Sequence, residues 1–174
     1  QTLDYVTPSG CFSVRNNEAL LQRSNVFCLD FDHVNDLREL KANLIKQITP
    51  TLFFESPSGN GLKVFYCINI EDGSHSHYFK SFQNYFRKNL KLEIDKQCSD
   101  ISRACFLSWD GNSYYNYAAP TIGKEFIDNY LPKPLAVNES KTISTPKLNT
   151  STKSDLEQCE VIKTNLDKTE SFIS

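Results

Sequence analysis

The apolar and polar positions of the chain fall into a succession of short periodic blocks. Residues 26–32 (Val-Phe-Cys-Leu-Asp-Phe-Asp) are apolar almost to their end. As a strand they send Phe27, Leu29 and Phe31 to one face and Cys28, Asp30 and Asp32 to the other. Leu37, Leu40, Leu44, Ile45 and Ile48 recur at helical spacing and predict a helix over 36–48, with Asn35 as N-cap and Pro50 just past its end. A second strand over 52–56 breaks at Pro57-Ser58-Gly59-Asn60-Gly61, a hairpin-like loop, and a third covers 62–70, rich in β-branched and aromatic residues. Tyr78, Phe79, Phe82, Tyr85, Phe86 and Leu90 then predict a helix over 77–90. An extended piece over 92–95, a strand over 104–109, a hairpin return over 114–117 and a short helix over 124–130 complete the pattern. Ahead of it, Pro8-Ser9-Gly10 marks a turn, 11–14 a short strand and 17–22 a helical turn or two.

The order β-α-β-β-α-β between residues 26 and 109 predicts an α+β fold with a ferredoxin-like or RRM-like core. Helices cover one face of a mostly antiparallel sheet, and the other face is expected to be open. Beyond Pro132 the character changes, because residues 138–154 are dominated by Ser, Thr, Lys and Asn with almost nothing to bury. The expected organisation is a folded domain over 1–134 and a flexible linker over 135–174 leading toward a further C-terminal domain. The chain opens at Gln and contains no Met, so its natural N-terminus is expected upstream.

Charge narrows the possible functions. Across 174 residues, 19 Lys and Arg stand against 21 Asp and Glu, a formal charge of −2, so any contact with nucleic acid is confined to a local patch. The candidate patch is Lys80, Arg87 and Lys88 on the second helix, although such a charge set is usually just a solvated face. No apolar run approaches the ~20 residues that cross a membrane, and no signal peptide is visible, so a cytoplasmic location is expected. The six cysteines show no CxxC spacing and read as reduced, mostly buried thiols. His75 and His77 with Cys98 or Cys105 do not have an established zinc spacing.

The candidate chemistry centres on Asp30 and Asp32. Two carboxylates this close raise each other's pKa unless a positive charge lies between them, and Mg²⁺ or Mn²⁺ favours such oxygen ligands. A strand running out into an acidic turn is the structural alternative. Three features are candidates to gather around this pair. Ser58, Gly59, Gly61 and Lys63 lie in a loop suited to cradling phosphate, or simply in a hairpin turn. Asp95 is a lone acid after a hydrophobe and a possible third ligand. Arg103 precedes a strand, placed to grip a triphosphate or to pair with the aspartates.

In this order, Asp-x-Asp, Ser-x-Ser-Gly-x-Gly-x-Lys, hydrophobe-Asp and Ser-Arg-x-x-Phe-x-Ser, the chain resembles the archaeo-eukaryotic primase (primase–polymerase) superfamily. The likeness is to the bacterial primase-like domain labelled VirE N-terminal, over roughly residues 5–120, and Thr7 to Arg15 resembles its lead-in. The resemblance implies a primase–polymerase type of fold and metal-dependent nucleotidyl transfer, making primers on single-stranded DNA in phage or mobile-element replication. It implies two Mg²⁺ or Mn²⁺ ions at the catalytic acids Asp30, Asp32 and Asp95. Nucleoside triphosphate would be held by Ser58, Gly59, Gly61, Lys63 and Arg103, with template along Lys80, Arg87 and Lys88 and a helicase region as partner. Lys63 departs from the His common at its position, and lysine can neither accept a hydrogen bond nor hold a metal. Two further readings follow from the residues: a nucleic-acid- or nucleotide-binding module without catalysis, and a metal-dependent nuclease or replication initiator.

Overall fold

The computed structural model describes residues 3–133. The linker expected over 135–174 lies outside them. In chain order the elements are strands β1 (Tyr5–Val6), β2 (Gly10–Phe12), β3 (Leu20–Arg23) and β4 (Val26–Phe31), helix α1 (Leu37–Gln47), strands β5 (Leu52–Glu55) and β6 (Leu62–Cys67), helix α2 (His75–Asn89), strands β7 (Cys105–Phe106) and β8 (Tyr114–Tyr115), and helix α3 (Lys124–Tyr130).

The main sheet is antiparallel with strand order β4-β6-β5-β8. Strand alternation fixes its two faces. Phe27, Leu29 and Phe31 of β4 and Leu62, Val64 and Tyr66 of β6 are buried in the main core, against Tyr78, Phe82 and Phe86 of α2 and Leu40 and Leu44 of α1. Ring centroids lie 5.3 Å apart for Phe27 and Phe82 and 5.0 Å for Phe31 and Phe86. Phe82 touches Phe27, Tyr66 and Phe126 at once, so Phe82→Ala would cost about 3–5 kcal/mol. The helices follow their side-chain pattern and are closed by side-chain caps. Asp36 accepts from Glu39 N at 2.8 Å, so it and not Asn35 caps α1, and Ser74 accepts from His77 N at 3.2 Å to start α2.

The expected order holds as far as α2 and then departs. Strand β7 is only two residues long and leaves the main sheet to pair with β1, matching Tyr5 with Phe106 and Val6 with Cys105. The return over Tyr114–Tyr115 does not pair back on it as a hairpin but adds to the edge of β5. The outer side of β4, where a fourth strand of a ferredoxin-like sheet would lie, receives instead, among the described residues, a backbone bond from Asp95 N to Asp30 O at 2.9 Å. Nor is the second face of the sheet open. The β1–β7 ribbon lies over it, and Cys105 forms a small second core with Phe54 and Phe65, flanked by Cys28 and Val26. Near the N-terminus the helical turn expected over 17–22 is a 3-10 turn at Asn17–Ala19 followed by β3, which pairs with β2. Among the described residues no helix is long and apolar enough to cross a membrane.

Candidate metal centre

Asp30 and Lys63 are cross-strand partners in the β4–β6 ladder, so both side chains leave the same face of the sheet. Lys63 Nζ donates to Asp30 Oδ2, and Arg103 Nη2 donates to the same oxygen at 2.7 Å. The Asp30 side chain is only 3% exposed, which makes this a buried pair whose charges must be balanced locally. Its second oxygen, Oδ1, is buried and has no hydrogen-bond partner among the described residues. An unpaired carboxylate oxygen in such a place is expensive unless a cation or donor meets it.

Asp95 reaches Asp30 through the backbone. Its N–H holds the chain against the edge of β4, while its Oδ1 accepts from Gln97 N at 3.0 Å and starts the 3-10 turn Lys96–Ser99. Arg103 Nη1 stands 2.6 Å from Asp95 Oδ2, so one guanidinium joins two of the three acids as an ion pair. Burial works to raise the Asp95 carboxyl, but the Gln97 N–H, Arg103 and Lys63 outweigh it and hold it below the ordinary aspartate value. On Arg103, burial favours the neutral form, yet the nearby Cys98, Asp95 and Asp30 more than offset it and raise its pKa.

Asp32 is exposed and sits just past the end of β4, where His33 takes a left-handed backbone conformation, φ 54°. The 56–61 loop is clasped onto this turn, since Val34 N donates to Asn60 O at 3.0 Å. Gly61 permits the close approach: a Cβ there would stand 2.7 Å from Phe31 O and 3.4 Å from Asp32 Oδ1. One oxygen from each of Asp30, Asp32 and Asp95 lies within 4.8 Å of the others. Oxygens that share a cation sit within twice the metal–oxygen distance, roughly 4–5 Å for Mg²⁺ through Ca²⁺. Three carboxylates against Lys63 and Arg103 leave an excess of negative charge, so these residues could hold a divalent ion.

Of the residues expected to form the site, Asp30, Asp32, Asp95, Lys63 and Arg103 come together, with the 56–61 loop beside Asp32. Within that loop the hairpin alternative describes the local bonding. Gly59, at φ 75°, donates to Ser56 O at 2.8 Å, and the Ser58 hydroxyl donates to Asn60 Oδ1 at 2.6 Å. Lys80, Arg87 and Lys88 are not brought to the cluster; they are on α2, which packs on the opposite face of the sheet from Asp30 and Lys63. Arg87 is also engaged, with Nε and Nη2 donating to Glu93 at 2.7 and 2.8 Å. The zinc alternative finds no support: His75 Nε2 lies 3.0 Å from Cys98 O, its ring stacks on Phe27, and burial pushes the Cys98 thiol up to about 12. Tyr78 is a core residue whose hydroxyl donates to Asn69 O at 2.6 Å. Residues 1–25 supply groups to which the sequence assigned no role, namely Tyr5 and Arg15, which border a groove next to Lys63 and Arg103.

Fold and site together define an α+β domain built around a three-aspartate cluster attended by one lysine and one arginine. The family described as BT4734-like, N-terminal domain matches residues 1–115, and the chain belongs to that family. This corrects the kinship with the primase–polymerase superfamily and its VirE N-terminal branch, since the family that matches is a different one. Short elements such as Asp-x-Asp and Gly-x-Gly arise wherever strand ends and tight turns meet the same local demands, so their order did not establish descent. No curated protein and no solved structure matches the chain.

Proposed function

We propose that the domain is a metal-dependent nucleotidyltransferase that extends nucleic acid on a single-stranded template, using Mg²⁺ or Mn²⁺ at Asp30, Asp32 and Asp95. The observation that carries this reading is the buried, partnerless Asp30 Oδ1 beside two further carboxylates, with Lys63 and Arg103 at the same spot. Acids alone would suit a cation store; acids interleaved with a lysine and an arginine suit a substrate that brings phosphate and metal together. Three carboxylates against Lys63 and Arg103 leave a net −1, so one divalent ion turns the site net positive and a second fits only if a triphosphate brings its own negative charge.

When bound, the metal supplies Lewis-acid polarisation of a phosphoryl oxygen and eases deprotonation of an attacking hydroxyl. The chain's own groups do the rest. Asp30 and Asp95 fix the position of Arg103, whose remaining donors face developing charge on the phosphates. Lys63, whose flexible four-carbon stem leaves β6 beside Asp30, exchanges that carboxylate for a phosphate oxygen. The clasped 56–61 loop holds Asp32 in place through Gly61.

The test is incubation of the protein with single-stranded DNA, Mg²⁺ or Mn²⁺ and labelled nucleoside triphosphates. Extended products should form and should vanish in Asp30→Ala and Asp32→Ala. Shortened template would replace this reading with a nuclease. A second reading, a binding module without catalysis, is favoured by one observation: Asp30 Oδ2 is already taken by both Lys63 and Arg103, as in a structural ion-pair network. Template binding without any product would select it.

A further inference from the structure

Next to the acid cluster lies a groove of about 500 Å³, and Lys63 and Arg103 form the wall that the two share. Its far side is the β1–β7 ribbon. Tyr5 and Phe106 are direct cross-strand partners, so both rings leave the same face of the ribbon, with centroids 6.0 Å apart and edge to face. A cross-strand aromatic pair stabilises so short a ribbon, and that explains why the rings touch. It does not explain why they are left 52% and 47% exposed on a groove lined by cations. Arg15 also lines the groove, is exposed, and makes no ion pair among the described residues. The acid in the lining, Asp100, is occupied locally, its Oδ1 accepting from Ser102 N at 3.0 Å and the Ser102 hydroxyl at 3.1 Å.

At one end are exposed π-faces; at the other are Arg15, unpaired among the described residues, and Lys63 and Arg103, each shared with the acid cluster, so the ligand they fit is flat and apolar at one end and anionic at the other. We infer that the groove binds the nucleoside of a nucleoside triphosphate, with the base on Tyr5 and Phe106 and the phosphates running toward Lys63, Arg103 and Arg15. The substrate class rests on the nucleotidyl-transfer reading, whereas the groove, rings and cations stand without it. The volume lies inside the roughly 300–1,000 Å³ of small-molecule sites, which matches one nucleotide better than a length of strand. Base stacking on an aromatic face tolerates every base, so the site should discriminate little among the four.

The test is equilibrium binding of a ribose-labelled fluorescent nucleoside triphosphate to the full chain without template, with inorganic triphosphate as competitor. Phe106→Leu keeps an apolar partner for Tyr5 while removing the π-face, so it preserves the ribbon that Phe106→Ala would loosen. Nucleotide binding should weaken about tenfold in Phe106→Leu and in Tyr5→Leu, with inorganic triphosphate unaffected. Arg15→Gln should weaken both ligands, and Phe106→Trp should retain nucleotide binding. Unchanged nucleotide affinity in Phe106→Leu overturns the assignment, even if the wild type extends templates normally. In Phe106→Leu, weakened binding of a phosphate-capped single-stranded oligonucleotide with unchanged nucleoside triphosphate binding also overturns it, in favour of a strand. Stacking-dependent nucleotide binding in a protein that extends nothing supports the groove and removes the catalytic reading alone.

Discussion

Asp30 and Lys63 face each other across the β4–β6 ladder, and the lysine neutralises the acid that would anchor a metal ion. Cation and ammonium therefore compete for one carboxylate. Lys63→Met removes the competitor but leaves Arg103 on Asp30. Mn²⁺ affinity should rise about tenfold, since a unit charge a few ångströms away is worth a few kcal/mol before screening. Nucleotide affinity should fall at the same time. Titration calorimetry with Mn²⁺ and then with nucleotide reads both, and a fall in Mn²⁺ affinity would mean that Lys63 supports the acids instead of opposing the ion.

The two loop glycines make different demands. A Cβ at Gly61 would meet Phe31 O at 2.7 Å and Ser56 Oγ at 2.9 Å, whereas one at Gly59 meets nothing within 4 Å. Gly61→Ala should therefore cost about 1–3 kcal/mol through crowding and weaken metal binding by displacing Asp32. Gly59→Ala should cost about 1 kcal/mol from its left-handed backbone alone, with metal binding unchanged. Urea melts with a Mn²⁺ titration separate the two.

His75 sets an acid limb of stability. Burial lowers its pKa, with Arg23 adding to the effect, while the Cys98 carbonyl and Asp100 pull the other way without cancelling it. A neutral ring must carry its proton on Nε2 to donate to Cys98 O. Below about pH 6.5 the unfolded chain then binds more protons than the folded one. The contribution is complete above that pH, is lost as pH falls through the folded value, and stays constant below it. His75→Phe, which keeps the stack on Phe27, should flatten this limb in urea melts between pH 4.5 and 8.

The basic side of α2 offers a test of the template path. The Arg87–Glu93 pair is exposed, with side chains 53% and 62% accessible, and such pairs contribute little to stability. Lys80→Gln and Lys88→Gln should leave stability within about 0.5 kcal/mol of wild type. If single-stranded DNA runs along the helix, each should lower the slope of log affinity against log salt by about 0.7. An unchanged slope would move the strand elsewhere.

What the sequence revealed follows from how local each signal is. The alternation Phe27-Leu29-Phe31 against Cys28-Asp30 was legible because strand period alone decides it, and the aromatic stripe of α2 was legible for the same reason. Lys63 could be named as a candidate, but its position opposite Asp30 depends on the register of β6 against β4, strands separated in sequence by α1 and β5, which no local signal sets. The two-residue strand at Cys105–Phe106 read as part of a longer one because six apolar-leaning residues look alike whichever sheet they join. Tyr5 and Phe106 are far apart in sequence, in short, aperiodic segments, and only their pairing gives them a common face. The kinship misread from motif order has the same root: each motif reports its own turn or strand end, and none reports the topology joining them.

Asp95 is tied to β4 by its main chain, through an amide that every residue except proline carries. Anchorage and chemistry at this position are thus separable. The carboxylate can be exchanged for an amide, which keeps an oxygen for Gln97 N, while the segment keeps its mooring on the sheet. Chemistry here can accordingly be retuned or retired without rebuilding the scaffold, and a silent site would be no sign of a broken fold.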